Sequence, residues 1–236
     1  MTATEFGEKG HYKEDIVRYR GFMSPEECAK IVAYFEDESQ PWTMSAFFES
    51  YGMSLLPEDP LLEKYGLPKD HLAKLAARLQ AVVEDAHQRP VKSVSSHAQK
   101  WQVGAFASFH SDNTDMEGNP SAWEKSKLVC LLYINDDYEG GELDFRDHDI
   151  TINPLVGELV TFPGGIENVH QVKVVESGTR HTIGAFWDYA ESVYSEERMK
   201  EWDDEIQKVR EEQKVMQDEW REQVSKGEHP LKQSNN

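Results

Sequence analysis

Short apolar segments of strand composition recur through residues 101–187, and this repetition limits the folds that the chain can adopt. Each segment is rich in β-branched, aromatic or aliphatic residues, and Gly, Pro, Asn or Asp separates it from the next. Clear examples are LVCLLYI at 128–134, ITI at 150–152 and ELVTFP at 158–163. Regularly spaced short strands joined by such turns predict an antiparallel sandwich or barrel.

Three side chains that can bind a metal lie within this β-rich part. His110 and Asp112 are separated by one residue at the end of the segment WQVGAFASFHSD, so on a strand they point to the same side. His170 begins another expected strand. Two imidazoles and one carboxylate on one face of an ion leave coordination positions open, which is the ligand set of non-haem Fe(II) oxygenases. The pair alone also occurs by chance, so its surroundings matter.

Arg180 begins the next expected strand after that of His170. Its planar guanidinium suits the distal carboxylate of a small dicarboxylic acid. If these two strands are antiparallel neighbours, both side chains lie near the same end of a barrel. Together with the three possible metal ligands, Arg180 therefore indicates an oxygenase that uses Fe(II) and 2-oxoglutarate.

The same segments resemble a known protein family. WQVGAFASFHSD, LLYINDDYEGGELDF, FPGGIENVHQV and GTRHTIGAFW follow one another as in the prolyl 4-hydroxylase-like 2-oxoglutarate/Fe(II)-dependent dioxygenases. The resemblance covers residues 95–190, less than half of the chain. It implies a double-stranded β-helix (jelly roll) core with a metal at one open end, in a protein that is mainly β with helical flanks.

By position, the resemblance implies a role for five residues. His110, Asp112 and His170 would bind Fe(II), and Arg180 would bind the distal carboxylate of 2-oxoglutarate. The Tyr133 hydroxyl would donate a hydrogen bond to the same carboxylate. O2 is the implied second co-substrate, and ascorbate is a candidate additional cofactor. The expected activity is hydroxylation of a prolyl residue or a related amino-acid substrate, with release of succinate and CO2.

Four further residues are candidates for contact with the substrate. Trp101 stands where relatives often have Tyr, so a hydroxyl is missing there. Arg146 follows a strand and is expected near the barrel mouth, where it would suit an anionic group. Asn168 precedes His170 by two residues on the same face. Trp187 is a candidate for lining the site, with packing in the core as the alternative.

The rest of the chain is expected to be helical. Residues 1–90 contain two amphipathic segments, the first with Ser24 as N-cap, and are expected to form a helix-rich flank that buttresses the barrel. The jelly-roll core is assigned to residues 91–190. Residues 191–236 predict a charged C-terminal helix and tail, whose apolar stripe would either dock on the core or form a homodimer.

The charge of the chain argues against several kinds of partner. Its formal net charge is −19, which repels nucleic acid phosphates and anionic membranes. The sequence has no apolar run long enough to span a bilayer and no apolar leader. Cys28 and Cys130 fall in an expected helix and an expected strand, which indicates reduced, buried residues rather than a disulfide framework. We therefore expect a cytoplasmic protein that binds neither nucleic acid nor membrane.

Three other functions remain open at this point. The same cofactor chemistry would act on a free amino acid or small metabolite, because substrate loops vary most in this fold. A non-enzymatic cupin-like metal-binding module is a second alternative, although it has no need of both Asp112 and Arg180. A halogenase of the same type requires an open coordination position where Asp112 stands.

Overall fold

A computed structural model describes residues 6–45 and 50–225 of the chain, without most α3 side chains after residue 212. Among these residues it contains fourteen strands and three α-helices. The strands are β1 Glu8–His11, β2 Val17–Arg20, β3 Thr43–Met44, β4 Tyr51–Ser54, β5 Val91–Trp101, β6 Ala107–His110, β7 Leu128–Tyr133, β8 Glu139–Gly140, β9 Leu143–Phe145, β10 Ile150–Ile152, β11 Leu159–Pro163, β12 His170–Val172, β13 Val175–Ser177 and β14 Arg180–Tyr189. The helices are α1 Pro25–Phe35, α2 His71–His87 and α3 Glu196–Ser225.

The strands form two main sheets and one short ribbon. The large sheet has the order β1-β2-β11-β7-β14-β5-β4-β3, the small sheet has the order β10-β9-β12-β6, and β13 pairs with β8. Side chains of both main sheets, such as Trp101, Tyr133, Phe145 and Phe162, pack into one apolar core. The expectation of a mainly β jelly-roll core with helical flanks is confirmed.

The side chains of strand β14 point to both faces of the large sheet. Its residues Ile183, Ala185 and Trp187 belong to the core that the sheet forms with the helices. Arg180 and Phe186 instead line a cavity between the two sheets. Alternate residues of a strand point to opposite faces, so neighbours on β14 have unrelated surroundings.

Helices α1 and α2 cover the outer face of the large sheet. Between the helices and the sheet lies a second apolar core, the helix-side core. Ile31 and Phe35 of α1 and Leu79 and Val83 of α2 are almost completely buried in it. The Ser24 side chain accepts a hydrogen bond from the Glu27 amide at 3.2 Å, so the expected N-cap is present. These contacts make the helical flank a buttress of the sheet.

The segment before residue 91 is more than a helix-rich flank, and this corrects one expectation. It supplies four strands to the large sheet, with β1 and β2 beside β11 and with β3 and β4 beside β5. These strands are two to four residues long, too short to show a clear alternating pattern in the sequence. The division of the chain at residues 90 and 190 stays a prediction, but the large sheet crosses the first boundary.

The first turns of α3 pack against the segment 111–127, which follows the candidate metal ligands. Arg198 Nε lies 3.0 Å from Glu124 Oε1, and Lys125 Nζ lies 3.7 Å from the centroid of the Trp202 ring. Ile206 is 5% exposed. This part of α3 is therefore docked on the core. In the part of the chain that the structure describes, no helix combines the length and the apolar character that crossing a membrane requires.

Candidate metal centre and anion pocket

Strands β6 and β12 of the small sheet bring the two candidate histidines together. His110 and His170 are register partners, and their ring centroids are 4.4 Å apart. Asp112 approaches from the end of β6, with Oδ2 3.7 Å from His170 Nε2. One ligand atom from each of the three side chains lies within 4.8 Å of the others. Within residues 6–45 and 50–225, no second group of His, Cys, Asp or Glu side chains has this arrangement.

Each histidine is oriented through its Nδ1 atom. The distance from Nδ1 to a backbone carbonyl oxygen is 2.8 Å for His110 and Ser108, and 2.9 Å for His170 and Asn168. Because a carbonyl only accepts hydrogen bonds, Nδ1 carries the proton in both rings. The Nε2 atoms are then left with a lone pair, as a metal ligand requires.

Burial shifts the pKa of each candidate ligand. Loss of hydration lowers the pKa of His110 and of His170 to about 4, and the neighbouring ring adds to the effect on His110. Burial raises the pKa of Asp112 to about 6, and His110 partly opposes this rise. Near neutral pH both imidazoles are uncharged and the carboxylate is ionised, which is the donor set that suits Fe(II).

Arg180 lies in the cavity between the two sheets, which the three candidate ligands also line. It is the register partner of Trp101, and its guanidinium carbon is 5.2 Å from the Trp101 ring centroid and 5.1 Å from that of Tyr133. The side chain is fully buried, and none of its three nitrogens forms a well-aligned hydrogen bond with a residue that the structure describes. A buried cation without an anion is costly, so this position fits a residue that binds a carboxylate.

Two buried tyrosine hydroxyls, of Tyr133 and Tyr138, interact electrostatically with Arg180. Burial raises the pKa of both phenols, and the guanidinium partly opposes this rise. Neither hydroxyl forms a well-aligned hydrogen bond with a described residue. Both are therefore neutral groups that can donate to an anion bound at Arg180.

Tyr138 is a residue that the sequence analysis missed. The available signal was the Gly-Gly pair that follows it, at 140 and 141. Gly141 has a φ of +67°, and a Cβ added there would lie 3.0 Å from Arg180 Cδ and 3.5 Å from Tyr138 Cε2. This glycine allows the turn to pass close to both side chains.

One cavity connects the candidate metal ligands with Arg180. Its wall is otherwise mostly apolar and includes Trp101, Val129, Leu131 and Phe186. A metal-binding group and a fixed cation on an apolar wall match a short dicarboxylate, which can bind the metal by one end and the cation by the other. The side chains present therefore fit Fe(II) and 2-oxoglutarate.

The structure places only one of the four candidate substrate residues on this cavity. Trp101 is part of the wall. Trp187 points from the other face of β14 into the helix-side core, because the sheet is covered on both faces. Arg146 is exposed and pairs with Asp147 at 2.7 Å, and Asn168 is fully buried with its amide bonded inside the protein. The positions of these last three residues do not support a contact with substrate.

Residues 96–188 match the family model described as the 2OG-Fe(II) oxygenase superfamily. Among curated proteins, Prolyl 3-hydroxylase 2 of Homo sapiens is 37% identical over an alignment of 99 residues, and the match covers 37% of this chain and 14% of that protein. Prolyl 3-hydroxylase 1 of Gallus gallus is 24% identical over an alignment of 220 residues, and the match covers 78% of this chain and 30% of that protein. The chain thus spans less than a third of the length of these relatives.

Solved structures with a similar fold include prolyl hydroxylases. A viral collagen prolyl hydroxylase from Paramecium Bursaria Chlorella virus-1, in complex with 2OG, has a TM-score of 0.54 and 17% identity, covering 74% of this chain and 96% of that chain. A Pseudomonas putida prolyl-4-hydroxylase has a TM-score of 0.55 and 14% identity, covering 74% and 92%. At these identities the likeness concerns the fold alone.

Proposed function

Because this chain belongs to the prolyl 4-hydroxylase-like family of 2-oxoglutarate/Fe(II)-dependent dioxygenases, we propose that it hydroxylates a prolyl residue or a related amino-acid substrate, releasing succinate and CO2. One observation carries the proposal. One cavity is lined by a His-Asp-His ligand set and by a fully buried guanidinium without an anionic partner among the described residues. The names of the relatives support the prolyl class of substrate.

The residues of the site would have different roles. His110, Asp112 and His170 would hold Fe(II), which together with 2-oxoglutarate and O2 supplies the oxidising power for C–H hydroxylation. Arg180 would bind the distal carboxylate of 2-oxoglutarate, with the Tyr133 hydroxyl as an additional donor. The apolar wall excludes water, which strengthens these electrostatic contacts.

The alternatives are less well supported by the same cavity. A non-enzymatic metal-binding module gives no reason for a buried cation beside the metal ligands. A free amino acid or a small metabolite is the alternative class of substrate. Ascorbate as a reductant, a homodimer formed through α3 and a cytoplasmic location are further proposals, which rest on the family's chemistry and on the sequence.

Succinate release tests the proposed activity. Purified full chain is supplied with Fe(II), 2-oxoglutarate and O2, with and without ascorbate, and the assay is repeated with Asp112→Ala. A panel of prolyl peptides is then compared with free proline and with matched peptides that contain alanine instead of proline. Amino-acid analysis of the product distinguishes 3-hydroxyproline from 4-hydroxyproline.

We expect metal-dependent succinate from the wild type, faster with at least one prolyl peptide, and none from Asp112→Ala. Acceleration by free amino acids alone would move the substrate to that class. A folded wild-type protein that binds Fe(II) but never forms succinate or a hydroxylated product would contradict the proposal and favour the binding module.

A further inference from the structure

Asn168 connects His170 with two other parts of the chain, around Asp15 and around His148. Its fully buried side chain places Nδ2 3.1 Å from Asp15 Oδ2 and 3.1 Å from the Pro163 carbonyl oxygen. Its Oδ1 lies 2.9 Å from His148 Nε2. The backbone carbonyl of the same residue is the one that orients His170, through Nδ1 at 2.9 Å.

One lysine at the outer end determines the direction of these hydrogen bonds. Lys13 Nζ only donates, and it lies 2.7 Å from His148 Nδ1, so Nδ1 accepts and Nε2 carries the proton. His148 Nε2 therefore donates to Asn168 Oδ1. The Asn168 amide nitrogen then donates to two groups that only accept, the Asp15 carboxylate and the Pro163 carbonyl. An Asn168 amide turned the other way could not make these contacts.

The backbone around Asn168 has little regular structure to fix it. The residue ends the short 3-10 turn Ile166–Asn168, and its amide donates to the Gly165 carbonyl oxygen at 3.0 Å. The candidate ligand His170, at the start of β12, follows two residues later. The position of the Asn168 carbonyl therefore depends on how its side chain is held.

We infer that Asn168 is a positioning residue for the metal centre, anchored by Asp15 and His148 so that its carbonyl points His170 Nε2 at the metal. The inference rests on the proposed function, because that function makes His170 a ligand. Metal-bound histidines generally donate their second N–H to such a partner, and loss of the partner weakens metal binding.

The orientations of the two candidate histidine ligands depend on different parts of the chain. His110 is oriented by Ser108, which belongs to its own strand β6. His170 depends on Asp15 and Lys13, which lie in the connection between β1 and β2. The N-terminal strand pair thus contributes to the metal centre as well as to the sheet.

Co(II) binding by the full chain tests the inference without any turnover. The metal alone is titrated, and the dissociation constant and the visible absorption spectrum of bound Co(II) are recorded. Asn168→Asp brings a carboxylate against the Asp15 carboxylate and the Pro163 carbonyl, so we expect the Co(II) dissociation constant to rise about 10- to 100-fold, with a changed spectrum. Asp15→Ala should weaken binding less. Asp15→Asn keeps an accepting oxygen and should retain most of the affinity.

Val83→Ala is the matched control for a general loss of stability. Val83 is fully buried in α2 and belongs to the helix-side core rather than to the cavity. This variant should melt at a lower temperature while it keeps the wild-type Co(II) affinity and spectrum. If Asn168→Asp does not fold, the comparison of Asp15→Ala with Asp15→Asn carries the test, because both change a loop residue that is only partly buried.

The two possible failures are distinguishable. If the wild type binds Co(II) and the folded Asn168→Asp and Asp15→Ala variants bind it with the same affinity and spectrum, the positioning role is overturned while the proposed function stands. If the wild type itself binds no Co(II), the proposed metal centre is wrong and the inference fails with it.

Discussion

Gly164 lies directly against Asp112. Its carbonyl oxygen accepts a hydrogen bond from the Asp112 amide at 2.8 Å. A Cβ added to Gly164 would lie 3.1 Å from Asp112 Cβ and 2.5 Å from the Ser126 carbonyl oxygen. The backbone that presents this candidate ligand can pack so closely only because residue 164 has no side chain.

Gly164→Ala should therefore weaken metal binding, because the added methyl must displace the backbone on which Asp112 sits. We expect a lower melting temperature and at least a tenfold weaker Co(II) affinity, as found when the support of a metal ligand is disturbed. Gly52→Ala is the control, since a Cβ there meets no atom of a described residue within 4 Å. Equal Co(II) affinity in the folded Gly164→Ala variant would show that the close approach does not position Asp112.

Arg180→Met should separate 2-oxoglutarate binding from metal binding. The change removes a charge-assisted contact worth about 1.5–3 kcal/mol, so the dissociation constant for 2-oxoglutarate should rise roughly 10- to 100-fold. Calorimetric titration of the metal-loaded protein measures this constant, and Co(II) affinity should stay within a few-fold of wild type. Arg146→Met is the matched control, because Arg146 is exposed and pairs only with Asp147 among described carboxylates. An unchanged constant in Arg180→Met would require another anchor for the distal carboxylate.

Tyr133→Phe and Tyr138→Phe should each weaken 2-oxoglutarate binding without loss of stability. Each hydroxyl is buried and interacts with Arg180 without a well-aligned hydrogen bond to a described residue, so its removal should cost the free protein little stability. A neutral hydrogen bond to the bound ligand contributes roughly 0.5–1.5 kcal/mol. Melting temperatures and 2-oxoglutarate affinities of the two variants measure this. A variant that melts like the wild type and binds 2-oxoglutarate equally well identifies a hydroxyl that does not contact the ligand.

His87 should make the folded state less stable in weak acid. Its Nε2 lies 3.0 Å from Thr161 Oγ1, and burial lowers its pKa from 6.5 to about 4. The unfolded chain takes up this proton near pH 6.5 and the folded chain only near pH 4. The free energy of unfolding therefore falls between these values and levels off below them, by up to about 3 kcal/mol from this group.

His87→Gln isolates this contribution from that of the other buried histidines. Urea unfolding of both proteins at several pH values between 4 and 7 gives the difference in slope. We expect a shallower pH dependence in the variant. Identical slopes would mean that His87 is protonated equally in the folded and unfolded chains.

Local sequence patterns predicted the centre of the site but little of its support. His110 ends strand β6 and Asp112 follows two residues later, so the spacing expected of a strand still brings both side chains to one site. Arg180 likewise begins a strand that the apolar pattern marks clearly. These are short-range relationships, and the sequence contains them directly. The family resemblance then added the order in which they occur.

Long-range relationships explain what the sequence did not predict. Asp15 and Asn168 are 153 positions apart, and nothing in either segment indicates that they meet. Trp187 was a candidate for the site, but which face of β14 meets the cavity depends on the layers that cover the large sheet. The strands β1 to β4 are too short for their pattern to be seen, so their place in the sheet depends on pairing alone.

The guanidinium of Arg180, which has no anionic partner among the described residues, also links the stability of this protein to 2-oxoglutarate. A buried charge that lacks an anion makes the empty protein less stable than its packing would allow. A dicarboxylate that binds only the folded state adds stability that grows with its concentration, about 2.7 kcal/mol at one hundred times its dissociation constant. The free energy of unfolding should therefore rise with the concentration of 2-oxoglutarate.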